Sequence, residues 1–123
     1  MAEVDNILNN KTYAFSVRIV NAYKYLANKY QEFVLSKQLL KSGTAIGALT
    51  REAKFAQSKA DFINKLSIAL KEANETQYWL ELLHDTNYLD DKQFCSIHEE
   101  AKELTALLVS IVKTSKQNSQ NNS

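Results

Sequence analysis

The sequence holds no proline, two glycines and one cysteine in 123 residues. Proline and glycine end strands and shape hairpins, so their scarcity argues for long helices joined by short loops. A single cysteine, Cys95, excludes an intrachain disulfide, and a lone thiol suits a reducing compartment. The opening stretch MAEVDNILNN has neither a basic region nor an apolar core of the kind that directs secretion. Uninterrupted apolar runs extend only a few residues, too short to cross a bilayer. The expected setting is cytoplasmic, with no membrane contact.

What is present is heptad patterning. Apolar or small residues recur at alternating steps of four and three in four separate segments. The stripes are Leu8, Thr12, Phe15, Ile19, Ala22, Leu26; Leu35, Leu39, Ser42, Ile46, Leu49, Ala53, Ala56; Phe62, Leu66, Ala69, Ala73, Thr76, Leu80, Leu83; and Phe94, Ile97, Ala101, Leu104, Leu108, Ile111. They predict helices over about 8–29, 34–56, 59–86 and 91–113. The seam breaks register in NKYQEF, 28–33. Ser58 followed by Asp61 reads as a capping box for the third helix. Asn87 can take the left-handed conformation that ends it, and Asp90 or Asp91 can cap the fourth. The polar stretch 114–123 has no apolar anchor and reads as a disordered tail. Short loops force neighbours antiparallel. The expected fold is all-α, one domain over 1–113, an up-down-up-down four-helix bundle. A chain of this length buries roughly two thirds of its unfolded surface, so it needs no metal or disulfide to fold.

Both glycines lie in LLKSGTAIGALTREA, 39–53, inside the second predicted helix. Each costs up to about 1 kcal/mol of helix propensity relative to alanine, and close approach of another backbone is the usual offset. A phosphate-binding loop needs four residues between its glycines and a following lysine; here three intervene, and Ala48 and Leu49 follow. Apolar residues also lie off the seams: Tyr13, Val17, Val20 and Ala27 on the first helix, and Ile68, Tyr78, Trp79 and Leu82 on the third. One bundle core does not need them all. Tyr13, Val20, Gly43, Gly47, Ile68, Trp79 and Leu82 are therefore the candidate residues of an oligomer interface.

The formal net charge of +1 hides a division. Residues 11–71 carry eleven basic and three acidic side chains, whereas 72–103 carry nine acidic and two basic. Lys37, Lys41, Arg51 and Lys54 share the outward side of the second helix, and Lys59 and Lys65 follow on the third. These six are the candidate contacts to RNA or DNA, because a basic face can hold phosphates without reading sequence. The same face can receive the acidic half of a neighbouring subunit, or simply be solvated. Of the aromatics that favour single strands, Phe55 is the main candidate on this face.

No catalytic residue is assigned. Glu81 and His84 form one ExxH, but di-iron bundles need two such pairs and further inward carboxylates. His98 has Cys95, not Glu, three residues earlier. Cys95 reads as a buried thiol and not as a nucleophile. No metal or cofactor is expected.

The block QLLKSGTAIGALTREAKFAQSKADFINKLSIALKEANETQYWLELL, 38–83, resembles the signature of the bacterial four-helix-bundle proteins encoded in 23S rRNA intervening sequences. Some of these carry a historical ribosomal-protein label. The matching positions include Gln38, Ser42, Gly43, Ile46, Gly47, Glu52, Asp61, Phe62, Glu72, Glu75, Trp79 and Leu83. RIVNAYKYL, 18–26, is loosely similar, as is NYL, 87–89. The family commonly reads SIGAN, from which this chain departs at Ala45 and Leu49. The resemblance implies a bundle that assembles as a homopentameric ring. It also implies kinship with basic pentameric accessory proteins of diversity-generating retroelements, which bind nucleic acid and a reverse transcriptase. It implies no enzymatic activity. The function expected is a non-enzymatic oligomeric module that binds RNA or DNA through its basic face. The alternative is a purely structural or scaffolding oligomer with a protein partner.

Overall fold

The computed structural model describes residues 2–121, with side chains described for 6–118. Four helices run α1 Ala2–Tyr30, α2 Val34–Lys54, α3 Lys59–Asp85 and α4 Asp91–Asn121. They form the expected all-α antiparallel bundle. α2 packs between α1 and α3, and α3 between α2 and α4, while α1 and α4 meet only sparsely. The fourth side of the bundle is thus a partly open cleft. Arg18 bridges it, reaching from α1 to the Glu100 carboxylate and, at 2.9 Å, to the Ser96 hydroxyl of α4.

The heptad stripes supply most of the core, and in α4 the inward face passes through Val112 where the stripe had Ile111. Leu8, Thr12, Phe15, Ile19 and Leu26 of α1 are buried with Leu39, Ile46 and Ala53 of α2. Leu66, Ala69, Ala73, Leu80 and Leu83 of α3 meet Ile97, Ala101, Leu104 and Leu108 of α4 in the same cluster. The polar members of the stripes are satisfied. The hydroxyls of Ser42 and Thr76 share a hydrogen bond of 3.1 Å across α2 and α3. Thr50 Oγ1 donates to the Ile46 carbonyl at 2.7 Å.

Each turn has a chemical cause. Gln31 takes φ of 49° as α1 ends, and its N–H donates to the Ala27 carbonyl. The Glu32 carboxylate then accepts the N–H groups of Val34, Leu35 and Ser36, at 3.1, 3.2 and 2.8 Å, and caps α2. Burial pushes the Glu32 carboxyl up, but the bonds from Ser36, Leu35 and Val34 outweigh it and hold it below its ordinary value. Ser58 caps α3, its Oγ accepting the Asp61 N–H at 3.0 Å. Asn87 is left-handed at φ 70°. Asp90 and Gln93 form a reciprocal capping box at α4: Gln93 N–H donates to Asp90 Oδ1, and Asp90 N–H to Gln93 Oε1. Tyr30, at the end of α1, meets Tyr88 of the α3–α4 turn edge-on with centroids 5.3 Å apart, so aromatic packing joins the two turns at this end.

Three expectations need correction. α1 begins at Ala2, ahead of the expected start near 8, and no proline or glycine precedes residue 8 to break it. α4 continues to Asn121 through most of the stretch read as a disordered tail, while 122–123 lie outside the described residues. That stretch lacks proline and glycine, and Ser115 is buried on the stripe of Leu108 and Val112, which extends the helix's inward face. Cys95 is exposed, not buried, because it sits two residues before the inward position of Ile97.

Both glycines meet α1 of the same chain, Gly47 at the backbone of Thr12 and Gly43 at the side chain of Ile19. A Cβ on Gly47 would lie 3.0 Å from Ser16 Oγ and 3.3 Å from the Thr12 carbonyl oxygen, both on α1. A Cβ on Gly43 would lie 2.7, 2.8 and 2.9 Å from three side-chain atoms of the fully buried Ile19. Gly43→Ala should therefore destabilise the protein. Overpacking costs about 1–3 kcal/mol, which exceeds the gain of up to about 1 kcal/mol in helix propensity. Urea denaturation should show a lower midpoint; an unchanged or raised midpoint would mean that the α1–α2 contact is loose.

Candidate nucleic-acid interface

The outward side of α2 follows from its inward side. Leu39, Ile46 and Ala53 point to the core, so residues about half a turn away face solvent. Lys37, Lys41, Arg51 and Lys54 are all exposed there. Lys37 and Lys54 are separated by roughly 25 Å of helix at 1.5 Å per residue. The cations form a row and not a cluster. Among the described residues, none of these four is ion-paired, and neither is Lys59. Lys65 differs: its ammonium lies 3.6 Å from the Glu52 carboxylate, so it is partly neutralised.

The C-terminal half of this face is grooved. Small residues of α2, Thr44, Gly47 and Ala48, line a cavity of about 800 Å³ together with Tyr13 and Ser16 of α1 and Asp61 and Lys65 of α3. A second cavity of about 470 Å³ adjoins it, lined by Asn6, Asn9, Asn10 and Lys54. Asn9, Tyr13, Arg51 and Phe55 line both. The Arg51 guanidinium lies over the Tyr13 ring, 5.9 Å from its centroid. Tyr13 is 61% exposed and Phe55 75%. The sequence puts Tyr13 among oligomer-interface candidates and Arg51 among phosphate contacts; the fold brings the two together. Asn6, Asn9 and Asn10 join them only through the fold, since no motif in the sequence marks them.

The oligomer candidates separate. Gly43 is buried against Ile19 of its own chain and presents no surface to a second copy. That corrects its assignment: the backbone approach is intramolecular because α1 occupies that side of α2. Gly47 is partly buried against α1 and otherwise lines the large groove. Val20, Trp79 and Leu82 are half-buried, and Ile68 is exposed. The Trp79 indole N–H donates to Glu75 Oε1 at 3.2 Å.

The ExxH pair splits between two partners. Glu81 Oε2 lies 3.0 Å from His98 Nε2, whereas His84 Nε2 lies 2.7 Å from Asp91 Oδ1. The Phe94 ring stacks between the two imidazoles, at 4.3 and 4.5 Å. Among the described residues no group of three His, Cys, Asp or Glu is placed to hold a metal ion.

A sequence profile described as 23S rRNA-intervening sequence protein matches residues 4–110. The chain belongs to that family. The match spans α1 to α3 beyond residue 4 and most of α4. The structure is also similar to the crystal structure of a protein with unknown function from the S23 ribosomal protein family of Bacteroides thetaiotaomicron, with 59% identity and a TM-score of 0.88. The alignment covers 89% of this chain and 98% of that one. No curated protein matches the chain.

The His84 contact makes stability depend on pH. The hydrogen bond to Asp91 raises His84 above its ordinary 6.5 against the opposing effect of burial, with Asp91 and Asp85 charges adding to the rise. Folding then favours the protonated ring. Its contribution is complete below 6.5 and is lost as pH rises through the folded-state value. Thermal melts between about pH 5.5 and 8.5 should show this loss, and Asp91→Asn should flatten it. A loss that survives Asp91→Asn would place its origin elsewhere.

Proposed function

We propose that this protein is a non-enzymatic helical-bundle module that assembles into a homo-oligomeric ring, of five subunits as the family resemblance implies, and binds RNA or DNA through the outer face of α2. The observation that carries the binding is the row of Lys37, Lys41, Arg51 and Lys54, exposed and without carboxylate partners among the described residues. Cations held in a row on one rigid helix suit a backbone of regularly spaced phosphates. Support for assembly comes from apolar side chains left outside the core, including Val17, Ile68, Tyr78 and Val109. A head-to-tail ring uses two different faces of each subunit, and the charge division supplies two.

A second reading has its own observation. Glu99, Glu100 and Glu103 line a groove with Leu104 and Leu107 beside the open α1–α4 side. Lys11 also lines it, and Arg18 and Lys102 pair with Glu100 and Glu99, so its excess negative charge is modest; in this reading that charge meets the α2 cations of a neighbouring copy or of a protein partner. In this reading the protein is a structural scaffold without nucleic acid.

Fluorescence anisotropy of labelled single- and double-stranded RNA and DNA, at about 50 and 200 mM salt, separates the two. The favoured reading requires binding that falls steeply with salt. Replacing Lys37, Lys41 and Lys54 together by Gln should weaken it and flatten the salt slope by about one unit per lost phosphate contact. Absence of binding at low salt, with assembly weakened at high salt in sedimentation, would favour the scaffold.

A further inference from the structure

The outer face of α2 is not uniform along its length. Its N-terminal half offers Lys37 and Lys41 on a solvated helix surface. Its C-terminal half offers two aromatic rings, a guanidinium and recessed floors on either side. We propose that this second half is a base-binding site for single-stranded nucleic acid, with Tyr13 and Phe55 as stacking platforms and Arg51 and Lys54 as the phosphate contacts beside them. The inference rests on the reading of the α2 face as a nucleic-acid surface and says which form of nucleic acid that surface selects.

Four features support the assignment. Phe55 and Tyr13 are among the most exposed large apolar side chains of the described residues, and a stacked base would remove both rings from water. Both line the two adjoining cavities, so a flat base on either ring has a recess to occupy. Gly47 and Ala48 leave the floor of the larger recess without long side chains, and the close packing of Gly47 on Thr12 fixes how far Tyr13 stands from α2. The smaller recess matches its occupant in charge: it carries Arg51 and Lys54 and no described carboxylate, together with the exposed Asn6 and Asn10, whose amides are of the kind that can meet base edges. The larger recess has carboxylates only toward α3, where Glu52 is paired with Lys65 and Asp61 lies beside them. Phosphates would therefore follow the Arg51–Lys54 side. Duplex nucleic acid keeps its bases stacked on each other and cannot offer them to protein rings, so this site favours single strands.

The test uses the full chain, an oligo(dT) and an oligo(U) of about 12 nucleotides, and a duplex of similar length. Tyr13→Ala and Phe55→Ala should each weaken single-strand binding roughly 5- to 150-fold and leave duplex affinity as it is in the wild type. Tyr13→Phe keeps the ring and should keep the affinity. Both positions are exposed, and circular dichroism checks that the variants remain folded. Wild-type affinity for single strands in both alanine variants overturns the inference and leaves the general reading of the α2 face intact. Equal losses on single strand and duplex do the same. A fall in oligomer mass with unchanged oligonucleotide affinity assigns Tyr13 and Phe55 to contact with a second copy and overturns it too. A wild-type protein that binds no nucleic acid at low salt removes both readings at once.

Discussion

The close approach of α1 to α2 at Gly43 and Gly47 sets the rest of the molecule. Any side chain at Gly43 would enter the space of Ile19, and one at Gly47 would meet Ser16 and the backbone of Thr12. The two glycines give up helix propensity, and the return is a pair of helices held close along one side. That pairing places Ile19 and Phe15 in the core with Leu39 and Ile46. It also brings Tyr13 beneath Arg51, where neither residue's position in the sequence would suggest contact. Core packing and surface chemistry thus depend on the same absence of side chains.

The four sides of the bundle are unequal. α1–α2, α2–α3 and α3–α4 are closely packed, and their capped turns fix the entry of each helix. The α1–α4 side is held chiefly by Arg18 against Ser96 and Glu100 and leaves a cleft beside Tyr25 and Gln93. Charge follows the same division. The cations of α2 stand away from the core without partners, while the carboxylates of α3 and α4 are partly engaged by His84, His98, Arg18 and Lys102. Arg18 and Lys102 thus offset part of the acidic charge within the chain, whereas the α2 cations have no carboxylate partner among the described residues.

Much of this was legible in the residues. Alternating steps of four and three named the core of every helix, because periodicity records which side of a helix is inward. Ser58, Asn87 and Asp90 marked their boundaries, because capping chemistry is local. Two capping roles escaped notice: Glu32 acts from the turn before α2, and Gln31 adopts a left-handed conformation normally taken by glycine or asparagine. The partner of Gly43 also escaped, since a stripe of small residues reads the same whether the second backbone belongs to the same chain or another. Periodicity does not say which neighbour a face will meet. For that reason the sequence alone divides Tyr13 and Arg51 between two candidate sites, and it gives Cys95 to the interior although the residue lies two positions from Ile97, on the opposite face of α4.

Ultraviolet crosslinking of a 4-thiouridine-substituted single strand, with adducts mapped by mass spectrometry, tests the central claim most directly. If α1–α2 packing builds the nucleic-acid surface, adducts fall on peptides carrying Tyr13 and on those carrying Arg51 to Phe55. Adducts confined to α4, or a complete lack of adducts under conditions of saturating binding, would contradict the account.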